Sequence, residues 1–223
     1  MKRYAIIVAG GKGSRFESTI PKQFVPLRGI PVLMHTIKAF HSTDNSISIL
    51  LALPKGQIAY WQSLCKEYSF TIPHIIIEGG DTRFQSVKNC LTTISSLDGV
   101  VAIHDGVRPL ITKEIITKAY EVAEIKGSAI PVIAVTDSIR MKDEHGSKAM
   151  KRDNLVAVQT PQTFRCNLII EAYKTPFSDR YTDDASVFEN SGHEIVLIDG
   201  NSKNIKITNP FDIALAELLL NNE

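Results

Sequence analysis

The sequence predicts an α/β fold with a mainly parallel sheet, helices on both faces of that sheet and a protruding β-hairpin arm. Short continuous apolar runs alternate with longer segments in which apolar residues recur at helical spacing. This alternation is typical of parallel sheets, whose strands are connected by helices and are buried on both faces. It stops at residues 136–158, a polar and charged segment, which therefore predicts an arm outside the sheet.

In the first half of the chain, strands are predicted where apolar residues are contiguous and helices where they return every three or four positions. The predicted elements are a strand at 5–9, a helix at 31–42, a strand at 47–53, a helix at 57–68, a strand at 73–78 and a helix at 82–97. The last helix has the most regular pattern, because apolar residues at 84, 87, 91 and 94 fall on one face.

The second half continues this order and then departs from it. The predicted elements are a strand at 100–104, a helix at 112–126, a strand at 129–135, the hairpin arm at 136–158 with Gly146 near its middle, and a strand at 194–199. Residues 204–208 alternate like a further strand, and Asn209-Pro210 supplies an N-cap and a first-turn proline for a closing helix. No repeat or linker divides the sequence, so residues 1–223 are predicted to form one domain that carries the arm.

The composition is that of an ordinary globular chain. Its 223 residues are 43% apolar and 22% charged, and the net charge of +1 gives no reason to expect bulk nucleic-acid or membrane binding. No apolar stretch approaches the roughly 18 residues of a membrane span, and the chain begins with a strand rather than a signal segment. Cys65, Cys90 and Cys166 lack metal-ligand spacing, which favours reduced structural thiols in the cytoplasm.

The first strand ends in a glycine-rich loop that is suited to an anion. Gly10, Gly11 and Gly13 allow backbone amides to curl around a phosphate, and the cations Arg15 and Lys22 follow closely. A strand that ends in such a loop with two cations is what a triphosphate requires. On its own, the pattern is also compatible with an ordinary strand-to-helix turn.

Two well-known phosphate loops do not fit this segment. The P-loop requires Ser or Thr after Gly-Lys, but Gly11-Lys12 is followed by Gly13. The dinucleotide-binding loop requires a third glycine where Phe16 stands and an acidic residue after the second strand, which instead ends in Leu53-Pro54-Lys55.

Polar residues also follow two other predicted strands. In an open parallel sheet, ligands bind beyond the carboxyl ends of the strands. After the strand at 73–78, Gly80 and Asp81 lead to Ser86 in the first turn of a helix, a pattern suited to a polar ring or an anion. After the strand at 100–104, Asp105 could meet a magnesium ion or a hydroxyl, and Arg108 could bind a phosphate. An ordinary loop and a turn residue remain the alternatives, and His104 is interpreted as structural.

Further polar residues lie where later loops return to the sheet. Thr160 belongs to a Gln-Thr-Pro-Gln cluster, and Asp183-Asp184 is interpreted as the N-terminal pair of a helix without chemistry. A lone lysine such as Lys206 is usually solvated surface. Five cations nevertheless fall at predicted loop or strand ends, and nucleotidyl transfer depends mainly on such positioned charge. These cations are Arg15, Lys22, Arg108, Arg152 and Lys206.

The motifs together carry a resemblance to a known family. The loop of residues 9–15 with Pro21-Lys22-Gln23-Phe24 resembles the signature loop of sugar-nucleotide and polyol-phosphate nucleotidyltransferases. Over the whole chain, further blocks are similar to the methylerythritol and ribitol phosphate cytidylyltransferase family. These blocks lie at 79–87, 104–109, 159–164, 182–184 and 204–208.

The resemblance implies a fold, a reaction and an assembly. The fold would be Rossmann-like, of the nucleotide-diphospho-sugar transferase type, and the arm at 136–158 would be exchanged across a homodimer. The enzyme would join CTP to a polyol phosphate and release pyrophosphate, with Mg²⁺ bound to the triphosphate. For the methylerythritol branch, the acceptor is 2-C-methyl-D-erythritol 4-phosphate and the pathway is non-mevalonate isoprenoid synthesis.

The resemblance also implies roles for individual residues. Arg15 and Lys22 would stabilise the transition state, while Arg152 and Lys206 would position the acceptor phosphate. CTP would be bound by Ala9, Gly10, Gly11, Gly13, Gly80, Asp81, Ser86, Asp105 and Gly106, with the cytosine at Gly80, Asp81 and Ser86 and the ribose or metal at Asp105. Arg108, Thr136, Thr160 and Thr182 would bind the acceptor, and the arm residues would come from the partner subunit.

Two positions depart from the family pattern. Gly106 stands where the family usually has Ala, which is harmless if only the backbone is used, and Lys151 stands where it generally has Asp.

Three other functions are compatible with parts of the sequence. A ribitol-5-phosphate cytidylyltransferase shares most motifs, but Arg83-x-x-Ser86-Val87 and Ser138-Ile139-Arg140 favour the methylerythritol branch. A nicotinamide-binding oxidoreductase lacks support because of the missing third glycine. A non-catalytic nucleotide-binding module is disfavoured by Arg15 and Lys22.

Overall fold

The structure, a computed structural model, describes residues 1–11 and 20–221. Its strands are Lys2–Val8 (β1), Pro26–Leu27 (β2), Ile30–Pro31 (β3), Ser48–Leu53 (β4), Ile75–Glu78 (β5), Gly99–Asp105 (β6), Ser128–Ala134 (β7), Arg140–Asp143 (β8), Gly146–Ala149 (β9), Val156–Val158 (β10), Gln162–Arg165 (β11) and Leu197–Asp199 (β12). Its helices are Val32–Thr43 (α1), Lys55–Glu67 (α2), Arg83–Leu91 (α3), Lys113–Lys126 (α4), Cys166–Ala172 (α5), Asp184–Asn190 (α6) and Pro210–Leu220 (α7).

The central sheet is mixed and mostly parallel, which confirms the predicted fold class. Its order is β10-β7-β11-β6-β1-β4-β5, with β12 paired to β7 as the eighth strand. The strands β6, β1, β4 and β5 are parallel to one another, whereas β11 runs antiparallel between β6 and β7. In this register Val8 lies opposite both Ala52 and Asp105, so the carboxyl ends of β4, β1 and β6 meet at one edge.

The sheet is buried on both faces, as the continuous apolar runs predict. Ala5 and Ile7 of β1 belong to one core cluster, which α1, α2 and α4 cover. Tyr4 and Ile6 belong to a second cluster, which α3, α5 and α6 cover. Because successive side chains of a strand point to opposite faces, only an unbroken apolar sequence can fill both clusters.

One predicted helix is longer than the helix in the structure. The helix expected at 82–97 ends at Leu91, where the hydroxyls of Thr92 and Thr93 donate to the carbonyls of Asn89 and Cys90. Such bonds from threonine side chains compete with helical ladder bonds, although the apolar period continues beyond the helix as far as the buried Ile94.

The expected strand at 204–208 is not a strand. The amide of Ile207 donates to the carbonyl of Val107, but no ladder of strand pairs forms. The alternation instead reflects Ile207, whose side chain is fully buried in a small cluster beneath α7.

The strand β11 and the helix α5 were not predicted. The four residues of β11 include Gln162, Thr163 and Arg165, so no apolar run marks them, yet all but Arg165 are buried between β6 and β7. The helix caps were predicted correctly. Asp183 caps α6, and Asn209 caps α7 with a proline in its first turn, each as part of a capping box.

The segment at 136–158 contains the predicted hairpin. Strands β8 and β9 pair only with each other, their side chains are exposed, and Gly146 takes a positive φ of 136° at the turn. A short 3-10 turn at Arg152–Asn154 and the edge strand β10 return the chain to the sheet. Across residues 1–11 and 20–221, no helix has both the length and the apolar character needed to cross a bilayer.

The three cysteines are free thiols on helices that face the core. Cys65 lies on α2 and is half-buried, while Cys90 and Cys166 are buried on α3 and α5. Burial raises the pKa of Cys65 to about 11 and those of Cys90 and Cys166 to about 12. All three are therefore protonated and weakly reactive at neutral pH.

We expect that Gly99→Ala destabilises the protein and that Gly56→Ala does not. A methyl group at position 99 would lie 2.7 Å from the carbonyl oxygen of Lys2 on β1, so the backbone would have to move. A methyl group at position 56 would have no atom within 4 Å. Forcing such a clash costs about 1–3 kcal/mol in the free energy of unfolding. Urea denaturation of both variants measures this difference, and equal midpoints would contradict the close approach of β6 to β1.

Candidate active site

A cleft opens at the edge of the sheet where β1, β5 and β6 end. Its walls come from the loops that follow these strands, together with the turn after the glycine loop and the segment before α7. The residues that line it are Val8, Ala9, Gly10, Gly11, Lys22, Gln23, Gly80, Asp81, Thr82, Arg83, Ser86, Asp105, Val107 and Lys206. The cleft therefore lies at the carboxyl ends of the strands, where the sequence predicts a ligand.

The described part of the glycine loop is tied to the neighbouring strand. The amide of Ala9 donates to the carbonyl of Ala52, and Nε2 of the buried Gln23 donates to the carbonyl of Ala9 at 2.9 Å. A methyl group on Gly11 would lie 3.5 Å from Cε and 4.0 Å from Nζ of Lys22. The Lys22 ammonium is therefore placed beside Gly11. Gly13 and Arg15 lie outside the described residues.

The loop after β5 is held by the side chain of Ser86. The amide of Gly80 donates to Oγ of Ser86 at 3.1 Å, and this hydroxyl donates to the carbonyl of Thr82 at 2.9 Å. Thr82 caps α3, because its Oγ1 accepts the amide of Gln85. A methyl group on Gly80 would lie 2.2 Å from Cγ of Gln85, so the loop can pass this closely over α3 only because it has glycine there. Asp81 projects at the exposed rim.

Three cations converge on the carboxylate of Asp105 at the end of β6. Oδ2 lies 3.0 Å from Nζ of Lys206 and 3.3 Å from Nε of Arg108, and Oδ1 lies 3.7 Å from Nε of Arg83. Burial alone would raise the pKa of Asp105, but the three cations outweigh it and hold that pKa well below its usual range. The carboxylate is therefore ionised throughout the neutral range.

The charges around Asp105 leave a positive excess. Arg83 is neutralised separately, since both of its Nη atoms donate to the carboxylate of Asp184. Asp105 alone then balances Arg108 and Lys206, so the cluster carries one positive charge more than negative. Because Lys206 is half-exposed toward the cleft, this excess favours an anionic ligand.

A buried polar network supports Asp105 from behind. Oγ1 of Thr160 accepts the amide of Asp105 at 3.1 Å and bonds Nδ1 of His104 at 3.0 Å. Nδ2 of Asn204 donates to the carbonyl of Thr160, and the carbonyl of Asn204 accepts Nη1 of Arg108 at 2.8 Å. The network thus fixes β6, β11 and the Lys206 segment to one another.

His104 is a neutral member of this network. Burial lowers its pKa to about 4, against backbone hydrogen bonds that act in the opposite direction. Nε2 faces the carbonyl oxygen of Arg108, which can only accept, so Nε2 carries the proton and Nδ1 accepts from Thr160. The interpretation of His104 as a structural residue agrees with this geometry.

Some residues assigned to the site from the sequence lie outside the cleft. Arg152 is exposed near the base of the arm, where its Nη1 donates to the carbonyl of Thr136 at 2.7 Å. Thr182 is exposed just before α6, and the hydroxyl of Thr160 faces the buried network rather than the cleft. Gly106 uses its backbone only, donating to the carbonyl of Val8 and accepting from Thr36.

Sequence reasoning missed the pairing of Arg83 with Asp184, to which Tyr173 also donates. Arg83 appeared only as part of a motif, Tyr173 was not considered, and Asp184 was interpreted as part of a helix cap. Asp183 is indeed the cap, but Asp184 is fully buried and pairs with Arg83. Nothing in the sequence connects Arg83 with Asp184 because 101 residues separate them.

The described residues do not form a protein cage for a metal. Among residues 1–11 and 20–221, no group of three or more His, Cys, Asp or Glu side chains could hold an ion. Of the two oxygens of Asp105, Oδ1 has the looser contact and Oδ2 is occupied by two cations. A divalent cation here would therefore need most of its ligands from a bound molecule and from water.

Comparison with known proteins gives one consistent result. The family model described as IspD, 2-C-methyl-D-erythritol 4-phosphate cytidylyltransferase, matches residues 4–222. Proteins of that name from Phocaeicola vulgatus and Bacteroides fragilis are 49% and 48% identical over 220 residues, covering 99% of this chain and 100% of each relative.

Solved structures agree with these relatives. The crystal structure of 2-C-methyl-D-erythritol 4-phosphate cytidylyltransferase from Thermus thermophilus is 29% identical, with a TM-score of 0.79 over 99% of this chain and 100% of that chain. The enzyme of the same name from Francisella tularensis is 28% identical, with a TM-score of 0.82 over 98% of this chain and 99% of that chain.

Proposed function

Because the chain belongs to the 2-C-methyl-D-erythritol 4-phosphate cytidylyltransferase family, we propose that its cleft joins CTP to 2-C-methyl-D-erythritol 4-phosphate. An oxygen of the acceptor phosphate forms a bond to the α-phosphorus of CTP. The bond from that phosphorus to the bridging oxygen breaks, and pyrophosphate leaves. The product is CDP-methylerythritol, an intermediate of the non-mevalonate isoprenoid pathway. The observation that carries the proposal is the positively charged cluster around Asp105 beside the Gly10-Gly11 loop.

The nucleotide occupies the space between the loops after β1 and β5. A methyl group on Gly10 would lie 4.0 Å from Oγ of Ser86, so the two loops face each other closely. Ala9, Gly10 and Gly11 supply backbone groups, and Gly80 with Asp81 supplies polar groups at the edge of a cytosine ring. Ser86 acts mainly by holding Gly80, since its hydroxyl is engaged by the loop itself. Asp105 and Gly106 lie toward the ribose.

Lys22 and Arg15 stabilise the charge that develops on the α-phosphate. The position of the Lys22 ammonium beside Gly11 supports this role for Lys22. The role of Arg15 and the binding contribution of Gly13 rest on the family resemblance, since both residues lie outside the described part of the chain.

The acceptor phosphate is bound by cations from two sources. Lys206 lines the cleft of its own chain. Arg108 lies on the other side of Asp105 and shares the same carboxylate oxygen with Lys206. Arg152 and Thr136 lie at the base of the arm and outside the cleft, so we propose that they serve the partner's cleft in a homodimer that exchanges its arms. An acceptor role for Thr182 rests on the family resemblance, since this residue is exposed outside the cleft.

Mg²⁺ is proposed to enter with the triphosphate. Mg²⁺ usually binds through one or two carboxylates, with phosphate oxygens and water supplying the other ligands. Asp105 fits as the single protein ligand, through the less engaged Oδ1. When bound, the ion supplies charge neutralisation on the phosphates. A cytoplasmic location, with no nucleic-acid or membrane partner, is part of the same proposal.

Pyrophosphate release tests the proposed reaction directly. The wild-type chain with CTP and Mg²⁺ should release pyrophosphate when 2-C-methyl-D-erythritol 4-phosphate is added, and far less with ribitol 5-phosphate. Replacing CTP by ATP should abolish release because the cytosine contacts are lost. Preference for ribitol 5-phosphate would place the chain's activity in the other branch, and tight binding of NADH without CTP binding would refute nucleotidyl transfer.

Two lysine and arginine variants should separate catalysis from acceptor binding. Lys22→Ala should lower kcat by about 100-fold, the scale of losing one preorganised electrostatic partner, with little change in the KM of the acceptor. Arg152→Ala should chiefly raise the KM of the acceptor. A smaller loss of kcat is also expected, because the attacking phosphate would be less well oriented toward the α-phosphorus.

Steady-state kinetics with each substrate varied separately measures both effects. Lys38→Ala on α1 is the control, since its side chain is exposed and away from the cleft. Near-normal kcat in Lys22→Ala, or a changed KM for CTP alone in Arg152→Ala, would show that these roles are wrongly assigned.

Removal of the hairpin tests the shared site. Replacing residues 141–150 with two glycines deletes most of β8 and β9, which make no ladder bonds to the central sheet. If the arm completes the partner's cleft, dimer content and activity should fall together. Sedimentation velocity and pyrophosphate release on the same samples provide the comparison. A monomeric variant that keeps full activity would rule out arm exchange as a requirement.

A further inference from the structure

A fully buried carboxylate lies beneath the cleft, at the start of α6. Asp184 has no exposed surface, and it accepts three hydrogen bonds from two side chains. Nη1 and Nη2 of Arg83 donate to Oδ1 and Oδ2 at 2.8 and 2.6 Å, and the hydroxyl of Tyr173 donates to Oδ1 at 2.6 Å. A carboxylate is kept ionised in such a place only when it is paired and hydrogen-bonded as completely as this.

The same guanidinium also faces the carboxylate at the end of β6. While both Nη atoms of Arg83 are occupied by Asp184, its Nε lies 3.7 Å from Oδ1 of Asp105. Arg83 therefore bridges two carboxylates that belong to different elements. The planar guanidinium directs its two Nη atoms at one carboxylate and its Nε toward the other, a fixed geometry that the compact ammonium of lysine does not reproduce. Burial would lower the pKa of Arg83, but Asp184 and Asp105 together raise it.

The bridge opposes a rotation of the Asp105 carboxylate. Arg108 and Lys206 both attract Oδ2, whereas Arg83 is the cation that faces Oδ1 among the contacts of the described residues. Without Arg83, the carboxylate would be free to turn both oxygens toward Arg108 and Lys206. Without Asp184, the uncompensated charge of Arg83 would close on Asp105 and compete with Lys206 for it.

We propose that Arg83 and Asp184 are positioning residues that hold Oδ1 of Asp105 toward the bound nucleotide. Asp184 fixes the guanidinium fork and neutralises its charge, and Arg83 fixes Asp105. The inference rests on the proposed function, in which Asp105 meets the ribose and metal region of CTP. It gives Asp184 a role in the reaction that a helix-cap residue would not have.

The surroundings hold this pair rigidly. Nε2 of Gln162 donates to Asp183, and the amide of Ala185 donates to Oε1 of the same glutamine, so the start of α6 is fixed to β11. The ring of Tyr173 stacks on Phe84 with centroids 4.7 Å apart, which fixes α5 against α3. Arg83 and Asp184 therefore have little freedom to relax when one of them is changed.

Three substitutions separate positioning from simple stabilisation. Asp184→Asn keeps the shape of the side chain but loses the charge, and Arg83→Lys keeps the charge but loses the fork. Both should raise the KM of CTP by at least roughly tenfold, with a smaller effect on the KM of the acceptor, because a displaced Asp105 weakens nucleotide binding. Tyr173→Phe is the matched control, since it removes one bond to Asp184 and leaves the Arg83 fork intact. It should lower Tm while the KM of CTP stays nearly unchanged.

The double variant Arg83→Gln with Asp184→Asn provides the test if a single variant does not fold. It removes both charges together, so no unpaired buried charge remains, and it should show the same rise in the KM of CTP. Calorimetric titration with CTP and Mg²⁺ should show weaker binding in step with KM, and thermal unfolding of each variant records the structural cost.

The outcomes distinguish this inference from the function on which it rests. If all variants lower Tm like Tyr173→Phe but bind CTP as the wild type does, Arg83 and Asp184 are structural only and the inference fails alone. If the wild-type chain neither binds CTP nor releases pyrophosphate from it, the proposed function fails and the inference fails with it. Weaker CTP binding in the charge variants but not in Tyr173→Phe supports positioning.

Discussion

The site depends on one carboxylate that is shared by three cations. Arg83 reaches Asp105 from the start of α3, Arg108 from the loop after β6, and Lys206 from the segment before α7. Attraction to a single buried charge therefore assembles three separate parts of the chain, and the charge left over after pairing is positive. The same interaction supplies the shape of the cleft and its preference for anions.

This arrangement requires a rigid support, which the sheet and the network behind it provide. The parallel register of β1 with β4 and β6 brings the ends of these strands together, so the glycine loop and Asp105 are neighbours. Thr160 and Asn204 then satisfy backbone groups that burial would otherwise leave unpaired. A neutral His104 suits this position, since a protonated imidazole could not accept the bond from Thr160.

Under the proposed function, one chain contains the whole nucleotide side of the cleft but only part of the acceptor side. The nucleotide side is bounded by Gly10, Gly80 and Asp105 of the same chain. The acceptor side has Lys206 from that chain, whereas Arg152 lies on the arm, away from the cleft. Under the proposed function, this division makes nucleotide binding a property of the folded subunit and makes acceptor binding depend on assembly. The exposed hairpin, which pairs only with itself, is consistent with that role.

The sequence by itself determined the α/β class, the parallel strands, the hairpin and the edge of the sheet at which the cleft opens. These features follow from local patterns, namely apolar runs, caps and glycines, which act over a few residues. Tertiary structure alone decided that β11 joins the sheet between β6 and β7, since its polar residues give no apolar signal and only its neighbours bury it. It also decided that Arg83 pairs with Asp184 and that Thr160 lies behind Asp105. Such pairings join residues that are far apart in the chain, and their energy depends on burial and orientation, which exist only after the sheet has formed.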